Sequence, residues 1–202
     1  MSLGLRGRHP HTMVARNDAG SRMGLLQQRC NENLFSVLTL LEMVGTTALM
    51  TYALLYEVGN LVNLPDKRIG FYNFCLWNDS ARELQCLDSN HLQAMGISPH
   101  GMALATVCVY ACLVPIPFHI LYLLFMNCPW QRGKWKWIGI IAFTEMIILS
   151  GGLAIFLFQT SWWIHPSDFT GGFWALLGTL ALLLLQILTA TVYLRWAKQN
   201  TA

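Results

Sequence analysis

Four polar side chains stand in four long apolar segments of this 202-residue sequence, one in each segment: Glu42, His119, Glu145 and Gln186. The first three can bind and release protons, and the amide of Gln186 can form hydrogen bonds. Each lies roughly eight residues from the same end of its segment, which at ~1.5 Å per helical residue is about 10–14 Å from that end. Polar residues inside a membrane avoid lipid and seek one another. The pattern predicts one shared polar layer, a buried polar belt, inside a helix bundle.

The polar belt has two interpretations. Two carboxylates and an imidazole can relay protons, which would make the belt part of a proton or cation path. Alternatively, the side chains form a hydrogen-bonded cluster that fixes which helix faces meet, with roughly 0.6–2 kcal/mol from each bond. The cluster is favoured, because the sequence has one belt rather than a series of sites crossing the bilayer. Pro115 and Pro117 precede His119 and predict a kink in the second segment.

The four segments have the length and composition of membrane-spanning helices. Each exceeds the ~20 residues that a bilayer core requires, and charged residues are only 11% of the chain, against about a quarter in soluble domains. The segments do not alternate apolar and polar residues as barrel strands do. The sequence therefore predicts an all-α membrane protein, a four-transmembrane-helix bundle with a small extracellular β-hairpin or sheet in its first outer loop. The predicted spans are residues 34–56, 99–126, 136–158 and 172–194.

Basic residues predict the orientation of these spans. Ten of the 13 Lys and Arg residues lie in residues 1–33, in or beside residues 127–135, and in the tail, residues 195–202. The positive-inside rule places these regions in the cytoplasm, and residues 57–98 and 159–171 outside or in a lumen. The N-terminal segment is expected to be flexible, and the membrane to be the plasma membrane or an endomembrane. The net charge of +3 follows from this asymmetry and does not indicate nucleic-acid binding.

The first outer loop carries a predicted hairpin. Residues 69–77 are aromatic and strand-prone, residues 78–81 are turn-like, and residues 82–87 can return as a second strand. Cys75 and Cys86 would then meet on the oxidising side of the membrane, which favours a disulfide over two free thiols. Asn78-Asp79-Ser80 is an N-glycosylation sequon at the predicted tip.

Other motifs indicate little chemistry. Cys30 and Cys128 lie near the inner membrane face and are candidates for palmitoylation, with unmodified thiols as the alternative. The sequence has no recognisable metal-ligand set, cofactor loop or nucleophile–base triad. We therefore expect no catalytic residues, no metal and no cofactor. The small residues from Ser150 to Ala154 should let a neighbouring helix approach closely.

Part of the chain resembles a known family. Residues 52–61 (YALLYEVGNL), Leu64-Pro65 and residues 68–78 (RIGFYNFCLWN) are similar to the transmembrane protein 140 family, as is Gly151-Gly152-Leu153. That resemblance implies a multi-pass membrane protein without assigned catalytic residues.

A wider resemblance is to the claudin and peripheral-myelin-protein-like tetraspan superfamily. The outer-loop motif Leu76-Trp77 and the later Cys86 match its Gly-Leu-Trp motif and disulfide, although Cys75 replaces the glycine and no tryptophan precedes the motif in this loop. This resemblance implies four spans, cytoplasmic termini, and a left-handed helix bundle capped by a small outer sheet.

Two functional hypotheses follow. The first is a non-enzymatic accessory, adhesion or scaffold tetraspan in the lipid bilayer, which contacts other membrane proteins or further copies of itself through its first outer loop and helix faces. The alternative is a proton- or cation-conducting channel or transporter that uses the buried polar belt.

Overall fold

The computed structural model describes residues 33–115 and 132–199. The chain divides into two compact units, Met1–Leu38 and Thr39–Ala202. The described part of the first unit is the start of a helix, and the packing reported below is that of the second unit. In chain order the elements are α1 (Asn33–Tyr56), β1 (Asn60–Asn63), β2 (Lys67–Gly70), β3 (Phe74–Asn78), β4 (Glu83–Cys86), α2 (Ser89–Ala94), α3 (Pro99–Ala111), α4 (Arg132–Thr160) and α5 (Gly171–Gln199).

Three helices in the described residues are long and apolar enough to cross a membrane: α1, the stretch Trp135–Thr160 of α4, and α5. They confirm three of the four predicted apolar helices. The second predicted span, residues 99–126, is described only as far as residue 115. A fourth spanning helix therefore stays a prediction, and His119 lies outside the described residues.

Helix α3 starts and ends where its sequence favours a boundary. Ser98 caps the helix by accepting a hydrogen bond on Oγ from the Gly101 amide at 3.2 Å, and Pro99 occupies the first turn. The regular helix ends at Ala111, and the next residues form tighter bonds to the carbonyl three positions back, such as Val114 N–H to Ala111 O at 3.1 Å. Pro115 follows directly; it has no N–H to donate and its ring disfavours helical backbone before it.

The segment between α1 and α2 folds into a four-stranded antiparallel sheet with strand order β1-β2-β3-β4. The predicted strand over residues 69–77 is divided by a turn into the end of β2 and most of β3. The predicted return strand is β4, and its pairing with β3 runs from Cys75 opposite Cys86 to Asn78 opposite Glu83. Strands β1 and β2 extend the predicted hairpin into a sheet.

A sharp turn connects α1 to this sheet. The last turn of α1, Tyr52–Tyr56, is π-helical, and Val58 and Gly59 follow with φ of 52° and 67°. A Cβ at Gly59 would lie 2.8 Å from the hydroxyl of Tyr110. Glycine is therefore required here both by the left-handed backbone and by the close approach of α3.

The segment between α4 and α5 packs against the free edge of β1. Val62 forms a bridge with Phe169, and Thr170 donates its N–H to Leu61 O and its hydroxyl to Asn60 O, both at 2.9 Å. These bonds satisfy backbone groups that an open edge would leave unpaired. The segment between α1 and α2 and the segment between α4 and α5 therefore pack against each other.

Candidate functional site

The cysteines of the sheet lie opposite each other on neighbouring strands. Cys75 of β3 and Cys86 of β4 are cross-strand partners, and a disulfide bond joins them across eleven residues of chain. Cys75 is buried whereas Cys86 is exposed. The free cysteines of the described residues are Cys108 and Cys112, four positions apart on α3 and in the turn after it.

The Leu76-Trp77 motif places its two side chains in different surroundings. Leu76 is partly buried and packs against the hydrophobic core, whereas Trp77 is 46% exposed. Tyr72, in the turn between β2 and β3, is 65% exposed. The sheet therefore presents aromatic side chains at its surface while its alternate residues anchor it to the core.

The sequon occupies the tight turn between β3 and β4. Asn78 Oδ1 accepts the Ser80 N–H at 2.9 Å, and Asn78 Nδ2 donates to Gln85 Oε1 at 2.7 Å. Asp79 and Ser80 are exposed. The hydrogen bond to Gln85 uses one of the two amide hydrogens, so the other is left for an N-linked sugar to replace.

An ion pair ties the sheet to the segment between α4 and α5. Lys67 of β2 donates to Asp168 Oδ2 at 2.5 Å and to the carbonyl of Trp163 at 3.3 Å. The same carboxylate accepts the His165 N–H at 2.9 Å. The hydrogen bond from Lys67 is the main reason that the pKa of Asp168 lies below its usual 3.8. Sequence reasoning missed this pair, because its members are 101 residues apart and neither belongs to a motif.

One member of the predicted belt, Glu42, bonds α1 to α5. Glu42 is 2% exposed, and its Oε1 accepts the hydroxyl of Thr189 at 2.9 Å. Gln186, also buried, lies three residues before Thr189 on α5 and so on the same face. Thr189 was not predicted; the signal available was its one-turn spacing from Gln186.

Glu145 of α4 contacts the turn after α3 through its backbone. Its carbonyl accepts the thiol of Cys112 at 3.8 Å. A Cβ at Gly139 would be 3.5 Å from Ala190 Cβ, which fixes the antiparallel register of α4 and α5. In that register the backbone of Glu145 lies opposite Leu184 of α5, about two residues, or ~3 Å, from the level of Gln186. The convergence of the belt side chains in one layer stays a prediction.

Two buried oxygen atoms of α1 have no hydrogen-bond partner among the described residues. They are Glu42 Oε2 and Thr39 Oγ1. The two residues are three positions apart and share a helix face. An unsatisfied buried oxygen is energetically costly, so a proton or a cation bound at this face of α1 would relieve that cost.

The described residues supply evidence for neither a metal site nor a palmitoylation site. No group of three or more His, Cys, Asp or Glu side chains converges there, and the expected absence of a metal stays a prediction. Cys30 and Cys128 lie outside the described residues.

Three apolar helices of membrane-spanning length and a disulfide-bonded sheet are features of a small helical membrane protein. The sequence matches the TM140 protein family over residues 28–202, and the chain belongs to that family. The family prediction is confirmed, whereas the wider claudin-like resemblance stays a prediction.

Proposed function

We propose that this protein is a non-enzymatic accessory, adhesion or scaffold protein that binds other membrane proteins through its sheet. The observation that carries the proposal is the bracing of that sheet. Three sets of bonds hold the sheet in place: the Cys75–Cys86 disulfide, the Lys67–Asp168 ion pair and the hydrogen bonds of Thr170. A surface that is already ordered loses little conformational entropy when a partner binds.

The braced surface also carries side chains that suit a protein interface. Trp77 and Tyr72 are exposed aromatic residues, a type enriched at binding hot spots. Beside Tyr72, a groove of about 480 Å³ runs between the sheet and α3, with Phe71, Leu92 and Met102 in its lining. An aromatic or aliphatic side chain of a partner would fill this groove.

In this proposal the sheet faces outside the cell or into a lumen, both termini are cytoplasmic, and a fourth helix completes a claudin-like bundle. The sequon at Asn78 tests the orientation. We expect a peptide N-glycosidase F-sensitive mass shift that disappears in both Asn78→Gln and Ser80→Ala. Absence of the shift in cells that glycosylate a control protein would count against the outward placement of the sheet.

Partner binding is tested by site-specific photocrosslinking from Tyr72 in intact cells. We expect crosslinks to membrane proteins that are lost in Trp77→Ala. The matched control is Trp137→Ala, because Trp137 is also exposed (65%) but belongs to α4 rather than the sheet. No crosslinked membrane protein above background, or equal crosslinking in the two variants, would refute the proposal.

A second candidate function is proton or cation conduction, favoured by the oxygens of Glu42 and Thr39 that lack a hydrogen-bond partner among the described residues. The test is flux through purified protein in liposomes. Glu42→Gln should abolish the flux, and Glu83→Gln, on exposed β4, should retain it. Absence of flux, or unchanged flux in Glu42→Gln, would exclude this role.

A further inference from the structure

A cavity of about 460 Å³ opens between α4 and α5 at the end of the bundle away from the sheet. It lies between the first residues of α4 and the last turns of α5. Its lining consists of Gly133, Lys136, Thr191, Leu194, Arg195 and Lys198. None of the six is acidic, and three are cationic.

Aromatic residues indicate where this cavity lies along the helices. Trp135 stacks on Tyr193 with ring centroids 4.2 Å apart, and Tyr193 contacts Trp196 at 5.9 Å. Tryptophan and tyrosine concentrate at the boundary between hydrocarbon and headgroups. The cations of the cavity alternate with these rings in sequence, which in a spanning orientation would put them at the depth of lipid phosphates.

Two of the three cations of the cavity form no ion pair in the part of the chain that the structure describes. In residues 33–115 and 132–199, Lys136 and Arg195 form no ion pair, and both are exposed. Three cations around one opening match a headgroup with several negative charges better than one with a single net charge. Thr191 and Leu194 extend the lining towards the hydrocarbon, where an acyl chain would lie.

We propose that this cavity binds a membrane lipid with a polyphosphorylated headgroup, of the inositol phospholipid class. Arg195 binds a phosphate through its paired N–H donors, and Lys136 and Lys198 bind as point charges. Basic pockets between spanning helices on the cytoplasmic side are suited to such headgroups. The inference does not depend on the proposed partner binding by the sheet.

The test is native mass spectrometry of the full-length protein in detergent, titrated with dioctanoyl phosphatidylinositol bisphosphate. We expect one lipid per protein and at least tenfold weaker binding of dioctanoyl phosphatidylcholine. Arg195→Gln should weaken binding of the bisphosphate about fivefold, the effect expected for one cation near an anionic lipid. The matched control is Arg82→Gln, an exposed arginine in the turn between β3 and β4, which should leave affinity within twofold.

A second pair of variants tests the shape of the cavity separately from its charge. A Cβ at Gly133 or at Gly151 would meet no atom within 4 Å, so both helix positions tolerate a side chain. Gly133→Leu should fill the cavity and reduce bisphosphate binding at least fivefold, whereas Gly151→Leu should not.

Three results would overturn the proposal. The first is equal binding of phosphatidylcholine, and the second is equal affinity in the members of either matched pair. The third is binding of inositol trisphosphate, which has no acyl chains, as tightly as the lipid. The ligand would then be a soluble inositol phosphate rather than a membrane lipid.

Discussion

Adding one methyl group to Gly152 tests the packing of α3 against α4. A Cβ at this position would lie 2.8 Å from Cys108 Cβ, 3.0 Å from Val109 Cγ2 and 3.1 Å from Ala105 O. Carbon atoms pack best at about 3.5–4.0 Å, so the helices would have to separate by roughly 0.7–1.2 Å. Overpacking of this kind costs about 1–3 kcal/mol.

The neighbouring glycine supplies the control. A Cβ at Gly151 would meet nothing within 4 Å. Gly151→Ala and Gly152→Ala gain the same helix propensity, up to about 1 kcal/mol, so this gain cancels when the two variants are compared. We expect the free energy of unfolding of Gly152→Ala to be lower than that of Gly151→Ala by about 1–3 kcal/mol.

The assay is reversible unfolding in mixed micelles of mild detergent and sodium dodecyl sulfate, followed by tryptophan fluorescence. Thermal aggregation in detergent gives an independent ranking of the two variants. Equal stability of Gly151→Ala and Gly152→Ala would refute the reasoning, because the contact of α4 with Cys108 could not then be as close as described.

Three further predictions concern the bonds of the candidate site. Cys86→Ser removes the disulfide, and a disulfide that closes a loop of this length contributes ~2–3 kcal/mol. Amide exchange in β3 and β4 should therefore accelerate roughly 30- to 150-fold. Cys108→Ser should leave the exchange rates of these strands unchanged, and equal rates in the two variants would exclude the disulfide. The lowered pKa of Asp168 means that its ion pair contributes fully above the usual aspartate range and is lost as pH falls through the lowered value. Exchange protection in residues 159–171, corrected for intrinsic rates, should therefore hold from pH 7 to about pH 5 and fall below about pH 4, whereas Asp168→Asn should show no such step. Thr189→Val should lower the free energy of unfolding by roughly 0.6–2 kcal/mol by removing the hydroxyl that binds Glu42; the exposed Thr191, changed to Val, should have a smaller effect, and the reverse order would contradict the contact.

The sequence predicts the features of the sheet that depend on neighbouring residues. The turn residues at 78–81 and the aromatic run before them are enough to place the β3–β4 pair. Strand β1 was not predicted, because it is irregular: its pairing with β2 shifts register between Asn60 and Val62. The irregularity lets Leu61 and Val62 both be fully buried, so the alternation that marks a strand is absent.

Contacts between distant segments were beyond prediction for a different reason. Thr189 is a hydroxyl residue in an apolar helix, where threonines commonly bond the carbonyl four residues back, as Thr191 does to Ile187 at 2.7 Å. Composition cannot distinguish a threonine that bonds its own helix from one that bonds a carboxylate on another helix. Only the packing of α1 on α5, set by close contacts such as Gly178 with Leu49 Cδ1, makes that choice.

The two candidate functions predict different effects of replacing the buried carboxylate of Glu42. Proton transfer requires partners within about 2.6–3.2 Å, and the contact that the described residues provide in this range is the hydroxyl of Thr189 at 2.9 Å. In Glu42→Gln the amide oxygen can still accept that hydroxyl, so a structural cluster keeps its bond between α1 and α5 while a proton site loses its titratable group. If the belt serves packing, Glu42→Gln should retain stability within about 1 kcal/mol and retain partner crosslinking at Tyr72. Loss of crosslinking in a variant that remains folded would show that the carboxylate does more than hold two helices together, and would refute the assignment of function to the sheet alone.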